Sequence, residues 1–599
     1  MTEAHDLQVL LWPISGVPAD LYAGRGSGGE VTEAGHLLLR TGQRFEANSY
    51  FNAFFPAYWS EYAGLRRIGL RCRARGQIWL QVTGRRRDGS SALIGDWLHL
   101  GDAGESLHWL VAEGTAEGWT RLSVGLRAEQ DAVVEEVAFV GEHPPRRDLR
   151  IVIGIVTHDR EELLAGTLAA LSKAARQVTE LRRVIVVNHG AAFRRTDLRD
   201  LAREPLLRVI RQPNLGGCGG FARAMVEATD DTEHPTHLIL MDDDVVVDMR
   251  MLQRAILFAR QTIDPVVVGA QALELERPRR LQEAWGEMGP GWRPMMRGTG
   301  QDMGDPARLT LWEDVARPDY NGWWFCMMPV DAIRDVGLPM PVFIRGDDIE
   351  YGIRLGRRGW PIVPLPGLAV WHASVHFKHV GLVQYYEQRN LLIAAACHPE
   401  VAPLPPVIAV LGHAVHHLLV HRYRAAAASL LALEDFLSGS EIALGPPSDE
   451  RHRALSQRLA HVPFPERILR PEVGGMHRPR GFLATSPEQL SVGGAVLLIL
   501  RILLLPSQDG FGQLQFGAPD PLAIGGRPYL LATDADAEVC LAMRARRWLF
   551  LRLLVRAIRL SLRYGLHRHH AARGWLRKFP DLCGRERWMQ EFRARKGKP

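Results

Sequence analysis

Between residues 149 and 244, short runs of β-branched residues alternate with segments of helical spacing. The run LRIVIGIVTH is almost continuously apolar, REELLAGTLAALSKAA has apolar residues at helical spacing, and RRVIVVNHG, LLRVIRQ and HLILMDDD repeat the strand pattern. Alternating strands and helices predict a mainly parallel sheet that is covered on both faces. Ligands of such sheets bind beyond the carboxyl ends of the strands. We therefore expect an α/β domain with a binding site at that edge.

The segments before and after this region have a different pattern of apolar and polar residues. Runs such as HLLLRT, QIWLQVTG and TRLSVGLRA, separated by Gly, Asp and Ser, predict strands of a β-sandwich. The segment EHPPRRD ends that pattern, and beyond Cys397 the chain becomes helical and rich in Ala and Leu. Because 599 residues are too many for one core, we expect three domains. These are an N-terminal β-sandwich or jelly-roll-like domain (1–148), the α/β domain (149–396) and a mainly helical, basic domain (397–599).

Composition favours a folded protein of the cytoplasm. Hydrophobic residues make up 46% and charged residues 23% of the chain, which is typical of globular proteins. The six cysteines are scattered without a CxxC pair, a pattern that suits a reducing compartment. The N-terminus lacks the features of a secretory signal, and the apolar run Val492 to Leu505 is too short to span a membrane.

In LILMDDDVVVD an apolar strand ends abruptly in three carboxylates. Adjacent anions repel one another, and a divalent cation that bridges to phosphate oxygens offsets this repulsion. Since side chains alternate along an extended segment, Asp242 and Asp244 can face one way while Asp243 faces the other. We assign metal or donor contact to the two outer aspartates, and ribose or structural contact to Asp243. A solvated loop at a strand end is the alternative.

A cluster of glycines lies in QPNLGGCGGFARAM, between a strand and a helix. Without side chains, Gly216, Gly217 and two further glycines let the backbone approach a ligand closely, and the helix N-terminus can meet an anion. A purely structural turn is the alternative.

Two carboxylates precede a helix in FIRGDDIEYGIRLGRRGW. Asp347 or Asp348 can serve there as a general base for an attacking hydroxyl, or simply cap the helix. His372, in LAVWHAS, is an acceptable metal ligand beside carboxylates, although a lone histidine after an apolar strand is more often a core residue. Trp323 and Trp324, in YNGWWFC, can stack on a sugar or fill the core.

Together with two further segments, these motifs form an ordered series. The series is ANSYFNAFFPAYW, QPNLGGCGGFAR, LMDDD, YNGWW, FIRGDDIEYG, LPGLAVWH and YYEQRN. Residues 149–395 resemble a GT-A glycosyltransferase domain of the family 2 type. The series closely resembles the polymerising UDP-galactofuranosyltransferases that build actinobacterial cell-wall galactan. The resemblance implies a GT-A catalytic domain between the N-terminal β-sandwich and the C-terminal helical domain.

The resemblance also implies a role for each motif residue. Asp348 would be the general base, and Asp347 would position donor or acceptor hydroxyls. Asp242, Asp244 and His372 would hold Mn²⁺ or Mg²⁺. Arg160 and Asn214 would contact the UDP moiety of the donor. The other donor-binding candidates, from the arguments above, are Asp243, Gly216 and Gly217. Those implied for the acceptor groove are Glu287, Trp323 and Trp324.

The function that follows is inverting, metal-dependent transfer of galactofuranose from UDP-galactofuranose to a growing, lipid-linked galactan-type glycan. One alternative is a family 2 transferase of another nucleotide sugar for a cell-wall or surface polysaccharide. A second is a non-catalytic glycan-binding scaffold on the same fold. Three departures from the family pattern bear on specificity: Gly346 replaces an aromatic residue, Glu387 a histidine and His189 an amide.

The C-terminal segment is strongly basic, with seventeen Lys or Arg against three Asp or Glu from residue 541 onwards. Helical spacing places Arg552, Arg556, Arg559 and Arg563 on one face, and Leu551, Leu554, Val555, Ile558 and Leu562 on the other. Such a helix suits a peripheral enzyme at the cytoplasmic face of the cell membrane, or it packs its apolar face on the catalytic domain. The chain has no recognised nucleic-acid-binding module, so we predict no nucleic acid partner. The resemblance implies a homotetramer.

Overall fold

A computed structural model gives the fold of most of the chain. The residues that it describes are 4–100, 104–109, 118–373, 381–445, 448–469, 491–505, 511, 514–515, 519–532 and 539–593.

The N-terminal region forms two antiparallel sheets, as the sequence predicts. One sheet has the order β2-β3-β11-β5-β9 with β1 paired to β11, and the other has the order β4-β10-β6-β7 with β8 paired to β6. A short helix, α1 (Pro56–Ala63), lies between β4 and β5. The strands are β1 (His5–Val9), β2 (Glu30–Val31), β3 (Leu37–Leu39), β4 (Arg44–Glu46), β5 (Ile68–Arg75), β6 (Ile78–Arg85), β7 (Ser91–Leu93), β8 (Leu98–Leu100), β9 (Glu105–Trp109), β10 (Arg121–Ala128) and β11 (Ala132–Gly141).

The α/β region contains a nine-stranded sheet with the order β14-β13-β12-β15-β21-β17-β22-β16, and β18 pairs with β17. Six strands run in one direction, whereas β16, β18 and β21 are antiparallel to their neighbours. The strands of the sheet are β12 (Ile151–Thr157), β13 (Leu181–Asn188), β14 (Leu207–Arg211), β15 (His237–Asp242), β16 (Val245–Val246), β17 (Val267–Glu274), β18 (Leu281–Glu283), β21 (Phe325–Pro329) and β22 (Ile362–His372). A hairpin of β19 (Gly286–Gly289) and β20 (Arg293–Met296) stands apart from it. The mainly parallel sheet expected from the sequence is confirmed.

Helices flank this sheet. Every residue of β22 is buried, which is the pattern of a strand covered on both faces. The helices of this region are α2 (Glu161–Ala175), α3 (Thr196–Leu201), α4 (Gly216–Asp230), α5 (Arg250–Gln261), α6 (Val330–Val336), α7 (Asp347–Arg357) and α8 (Leu382–Cys397).

The C-terminal region is mainly helical, and it also contains a four-stranded sheet that the sequence did not predict. That sheet has the order β23-β26-β25-β24. Its strands are β23 (Glu466–Leu469), β24 (Leu514–Gln515), β25 (Tyr529–Ala532) and β26 (Val539–Met543). The helices are α9 (Val407–Leu419), α10 (Tyr423–Ser438), α11 (Ser440–Ala443), α12 (Ser448–Leu459), α13 (Val492–Leu504), α14 (Pro521–Ile524), α15 (Arg547–Leu582) and α16 (Arg585–Arg593). The exact domain boundaries stay a prediction.

The β-sandwich shares a hydrophobic core with the α/β region. The hydroxyl of Tyr50 donates a hydrogen bond to Oε1 of Gln271 in β17 (3.1 Å). The buried guanidinium of Arg254 donates to the carbonyls of Phe51 and Gly367, both at 2.6 Å. The ring of Phe51 meets the ring of Trp371 edge-on, with centroids 5.8 Å apart. The segment ANSYFNAFF therefore supports two central strands of the larger sheet.

Helix α15 packs on the rest of the protein with a face other than the apolar face identified in the sequence. Its buried contacts come from Phe550, Leu553, Ala557, Leu560 and Tyr564. The predicted apolar face remains open, because Leu551, Val555, Ile558 and Leu562 are all more than a third exposed and Leu554 is only partly buried. Of the two alternatives left open by the sequence, packing of this face on the catalytic domain does not agree with these exposures. Among the described residues, no helix is both long and apolar enough to cross a membrane.

Candidate active site

The acidic triplet lies where the sheet predicts a ligand site. Asp242 is the last residue of β15, and His372 is the last residue of β22. Because β15 and β22 run in the same direction, both residues lie at the carboxyl edge of the sheet. The geometry brings together side chains that are 130 residues apart in the sequence.

Asp242, Asp244 and His372 form a carboxylate–histidine cluster. Nε2 of His372 lies 3.6 Å from Oδ2 of Asp242 and 3.4 Å from Oδ1 of Asp244. One ligand atom from each residue lies within 4.8 Å of the others. Two hard carboxylate oxygens and an imidazole nitrogen suit Mn²⁺, and the carboxylates also suit Mg²⁺. The donor set therefore fits the cation that the sequence implies.

Asp243 points away from this cluster, as the alternation along the strand predicts. Its Oδ2 accepts a hydrogen bond from the hydroxyl of Thr157 (2.7 Å), and its Oδ1 accepts one from Nη1 of Arg160 (3.3 Å). Burial raises the pKa of Asp243, whereas the Thr157 hydroxyl and the Arg160 charge lower it. Nη1 of Arg160 also donates to Oδ2 of Asp244 (2.7 Å). Asp243 thus has structural contacts that fix Arg160 at the edge of the cluster.

The second acidic pair lies at the start of α7. Gly346 precedes this helix with a positive φ of 76°, and Asp347 and Asp348 occupy its first turn. Oδ1 of Asp348 accepts a hydrogen bond from the amide of Ile349 (2.8 Å). Burial raises the pKa of both carboxyls, and the charge of Asp348 raises that of Asp347 further. Both carboxyls therefore hold a proton more readily than an exposed aspartate, while the charge of Arg345 lowers the pKa of Asp348, the candidate base.

In the glycine-rich segment, Gly216 has no room for a side chain, whereas Gly217 faces the cavity. Gly216 has a φ of 70°, and a Cβ there would lie 2.0 Å from the carbonyl oxygen of Phe343. A Cβ on Gly217 would meet no atom within 4 Å, and this residue lines the cavity described below. Oδ1 of Asn214 accepts a hydrogen bond from the amide of Gly216 (3.0 Å). Of these three donor candidates, only Gly217 is among the residues that line the cavity.

The acceptor candidates lie in different surroundings. Trp323 and Trp324 both line the cavity. Trp323 is buried and meets the ring of Phe221 edge-on, whereas Trp324 lies with its ring centroid 6.3 Å from that of His372. Glu287 is not among the lining residues: its carboxylate pairs with Arg297 and accepts a hydrogen bond from Nε1 of Trp285 (2.9 Å). The acceptor roles of these three residues stay predictions.

One cavity of about 940 Å³ connects the two acidic groups. It is lined by the carboxylate–histidine cluster, by Asp347 and Asp348, and by side chains of α8 and α9. A sugar nucleotide and an acceptor sugar can meet in a space of this size.

Glu283 and Arg345 line the cavity, although the sequence motifs assign no role to either. Glu283, in β18, is buried in the cavity wall, and Arg345 lies directly before Gly346. Arg345 lowers the pKa of Glu283 and Asp348, which burial raises. Glu283 belongs to no recognised motif. In the sequence it is only a charged residue within the short run LQEAW.

The three departures from the family pattern lie in distinct places. Gly346 and Glu387 line the cavity, where a carboxylate oxygen of Glu387 is 3.9 Å from Arg345. His189 is buried beside Gln212, with 3.0 Å between their side-chain nitrogens, and burial lowers its pKa to about 3. His189 is therefore neutral at physiological pH, and the other two residues change the cavity itself.

Comparisons with known proteins agree with this arrangement. Residues 147–390 match the family described as "Glycosyltransferase like family 2". The chain is 29% identical over 415 residues to galactofuranosyltransferase GlfT2 of Mycolicibacterium smegmatis, across 66% of this chain and 64% of that protein. It is 28% identical over 442 residues to GlfT2 of Mycobacterium tuberculosis, across 68% of each chain. The chain thus aligns with slightly less than two thirds of the length of the first of these relatives.

The family match covers the strands and helices that carry the cluster and the second acidic pair. The resemblance seen in the sequence motifs is therefore confirmed, and residues 147–390 form a family 2 glycosyltransferase domain with the GT-A fold.

Proposed function

We propose that the chain is an inverting, metal-dependent glycosyltransferase. It transfers galactofuranose from UDP-galactofuranose to a growing, lipid-linked galactan-type glycan. The observation that carries this proposal is that the carboxylate–histidine cluster and Asp348 line the same cavity. The relatives named galactofuranosyltransferase support the choice of sugar.

In this proposal each acidic group has a separate task. Asp242, Asp244 and His372 would hold Mn²⁺ or Mg²⁺, which neutralises charge on the donor's diphosphate. Arg160, held by Asp243 and Asp244, supplies a further positive charge at the same place. Asp348 accepts the proton of the acceptor hydroxyl as that oxygen attacks the anomeric carbon. Attack from the face opposite the departing diphosphate inverts the anomeric centre.

A donor screen tests the choice of sugar. With a synthetic lipid-linked galactofuranose acceptor and Mn²⁺, we expect UDP release and chain extension by mass analysis from UDP-galactofuranose. We expect neither from UDP-galactopyranose nor from UDP-glucose. Extension from another donor alone would favour the family 2 transferase of a different sugar. Glycan binding without turnover of any donor would favour the non-catalytic scaffold.

We further propose that the enzyme works at the inner face of the cell membrane, where its acceptor is anchored. The open face of α15 includes Trp548, Leu562 and Leu566, which are 85%, 62% and 82% exposed. Helix α13 lies against α9 and α15 and adds further exposed apolar side chains. Arginines flank the same surface, which suits an anionic bilayer.

Vesicle flotation tests this membrane contact. On vesicles with about one third anionic phospholipid, replacing Trp548, Leu562 and Leu566 together by Glu should lower the bound fraction about tenfold, because apolar burial and charge attraction are both lost. The control is Leu93→Glu, a 57% exposed position in the β-sandwich. Unchanged flotation of the triple variant would contradict the proposal. The homotetramer implied by the resemblance stays a prediction that light scattering can test.

A further inference from the structure

Glu283 ends β18, at the wall of the catalytic cavity. Its strand pairs antiparallel with β17, where Glu283 lies opposite Ala272. The residue is only 5% exposed, yet it lines the cavity. Among the described residues, its Oε1 has no hydrogen-bond partner, although the atom is buried. A buried acceptor without a partner is costly, so such a group in a cavity wall indicates a ligand contact.

The surroundings of Glu283 determine its protonation. Burial and the negative charge of Asp348 raise the pKa of Glu283 to about 8, and the charge of Arg345 lowers it. Tyr320, which also lines the cavity, stays neutral because burial and these carboxyls raise its pKa well above the usual range. At neutral pH Glu283 is therefore mainly the neutral acid. The neutral acid has one O–H donor and a carbonyl acceptor.

These properties select among the ligands that could enter the cavity. A neutral carboxyl has no charge to attract a cation, and the nearby negative charge of Asp348 disfavours a diphosphate at this position. A sugar hydroxyl both donates and accepts, so it matches the neutral acid of Glu283. The nearby carboxyl of Asp348 is the proposed base for the acceptor hydroxyl.

We propose that Glu283 is an acceptor-binding residue, whose carboxyl hydrogen-bonds a hydroxyl of the acceptor sugar while a second hydroxyl of that sugar meets Asp348. This inference rests on the proposed function. It adds a contact that the sequence motifs do not assign, in the part of the cavity where Gly346 and Glu387 also depart from the family pattern. Together, Glu283, Gly346 and Glu387 would adapt the acceptor site of this chain to the glycan that it extends.

Steady-state kinetics of two variants test the proposal. Glu283→Leu removes both hydrogen-bonding groups at similar volume, and we expect the acceptor KM to rise at least about tenfold. Glu283→Gln keeps a donor and an acceptor, and its acceptor KM should stay within about threefold of the wild type at pH 7. Affinity for UDP in the presence of Mn²⁺, measured by calorimetry, should not change in either variant, which also verifies folding. The matched control is Glu276→Leu, at an exposed position after β17.

The pH dependence of acceptor KM provides a second readout. As pH rises from 7 to 9, Glu283 loses its proton, so the wild-type acceptor KM should rise, while that of Glu283→Gln rises less. The other titratable groups that line the cavity are present in both proteins, so a difference between the two profiles reports on Glu283. They are the carboxylate–histidine cluster, Asp243, Asp347, Asp348, Glu387, Tyr320, His413 and His416.

The outcomes separate this inference from the proposed function. An active wild type whose Leu variant keeps its acceptor KM, or whose Gln variant has an identical pH profile, would overturn the role of Glu283 alone. A wild type without transfer from any donor would overturn the proposed function.

Discussion

Replacement of Asp348 by Asn should lower kcat about a thousandfold, because a positioned general base contributes roughly 10²–10⁴ to the rate. The substitution keeps the size of the side chain but removes its basicity. UDP binding should stay intact, since the cluster at the strand ends is unchanged. The measurement is transfer to a short synthetic acceptor, with UDP affinity determined by calorimetry in the presence of Mn²⁺.

The pH profile refines this test. Because burial raises the pKa of Asp348, the wild-type rate should fall as pH drops through that raised pKa, at a higher pH than for an exposed aspartate. The residual activity of Asp348→Asn should lack this acidic limb. The matched control is Asp331→Asn in α6, an exposed carboxylate paired with Arg334. Full activity of Asp348→Asn would show that the base lies elsewhere.

Removal of the divalent cation should abolish transfer, with a loss of at least about a hundredfold after thorough chelation. Added Mn²⁺ should restore the rate. Asp242→Asn should have a comparable effect at limiting Mn²⁺, because one anionic oxygen of the cluster is lost. Binding of Mn²⁺ can be followed directly by electron paramagnetic resonance.

The control for Asp242→Asn is Asp200→Asn, which makes the same change at an exposed carboxylate of α3. Turnover that survives chelation undiminished would refute the metal-dependent mechanism. Unchanged Mn²⁺ affinity of Asp242→Asn would instead place the cation away from this cluster.

The sequence predicts the acidic triplet well because its signal is local. An apolar strand that ends in three carboxylates constrains their position, and Asp243 does face away from Asp242 and Asp244, although β15 ends at Asp242 and the next two residues form a turn. His372 is different: as a lone histidine after a strand it looks like a core residue. Ligand chemistry made it acceptable beside a carboxylate site, and the resemblance assigned it to Asp242 and Asp244. The sequence alone does not show that proximity, because it depends on the order of strands in the sheet.

Other features have no local signal at all. The sequence does not reveal the antiparallel direction of β21, because a strand buried on both faces has the same apolar composition in either direction. The C-terminal sheet consists of short strands, and β23 pairs with β26, which lies much later in the sequence. Glu283 becomes recognisable only when the fold places it beside Asp348. In α15 the helical spacing is correct, but periodicity cannot decide which of two apolar stripes meets the protein.

The contact between Phe51 and Trp371 has a consequence for the catalytic centre. Trp371 directly precedes His372, so the β-sandwich packs against the strand that carries the imidazole of the cluster. An isolated fragment beginning at residue 149 would keep the motifs that lie within the transferase domain, yet lose the support behind one of the proposed cation ligands. The N-terminal region thus helps to hold the proposed catalytic site in place, although none of its described residues lines the cavity.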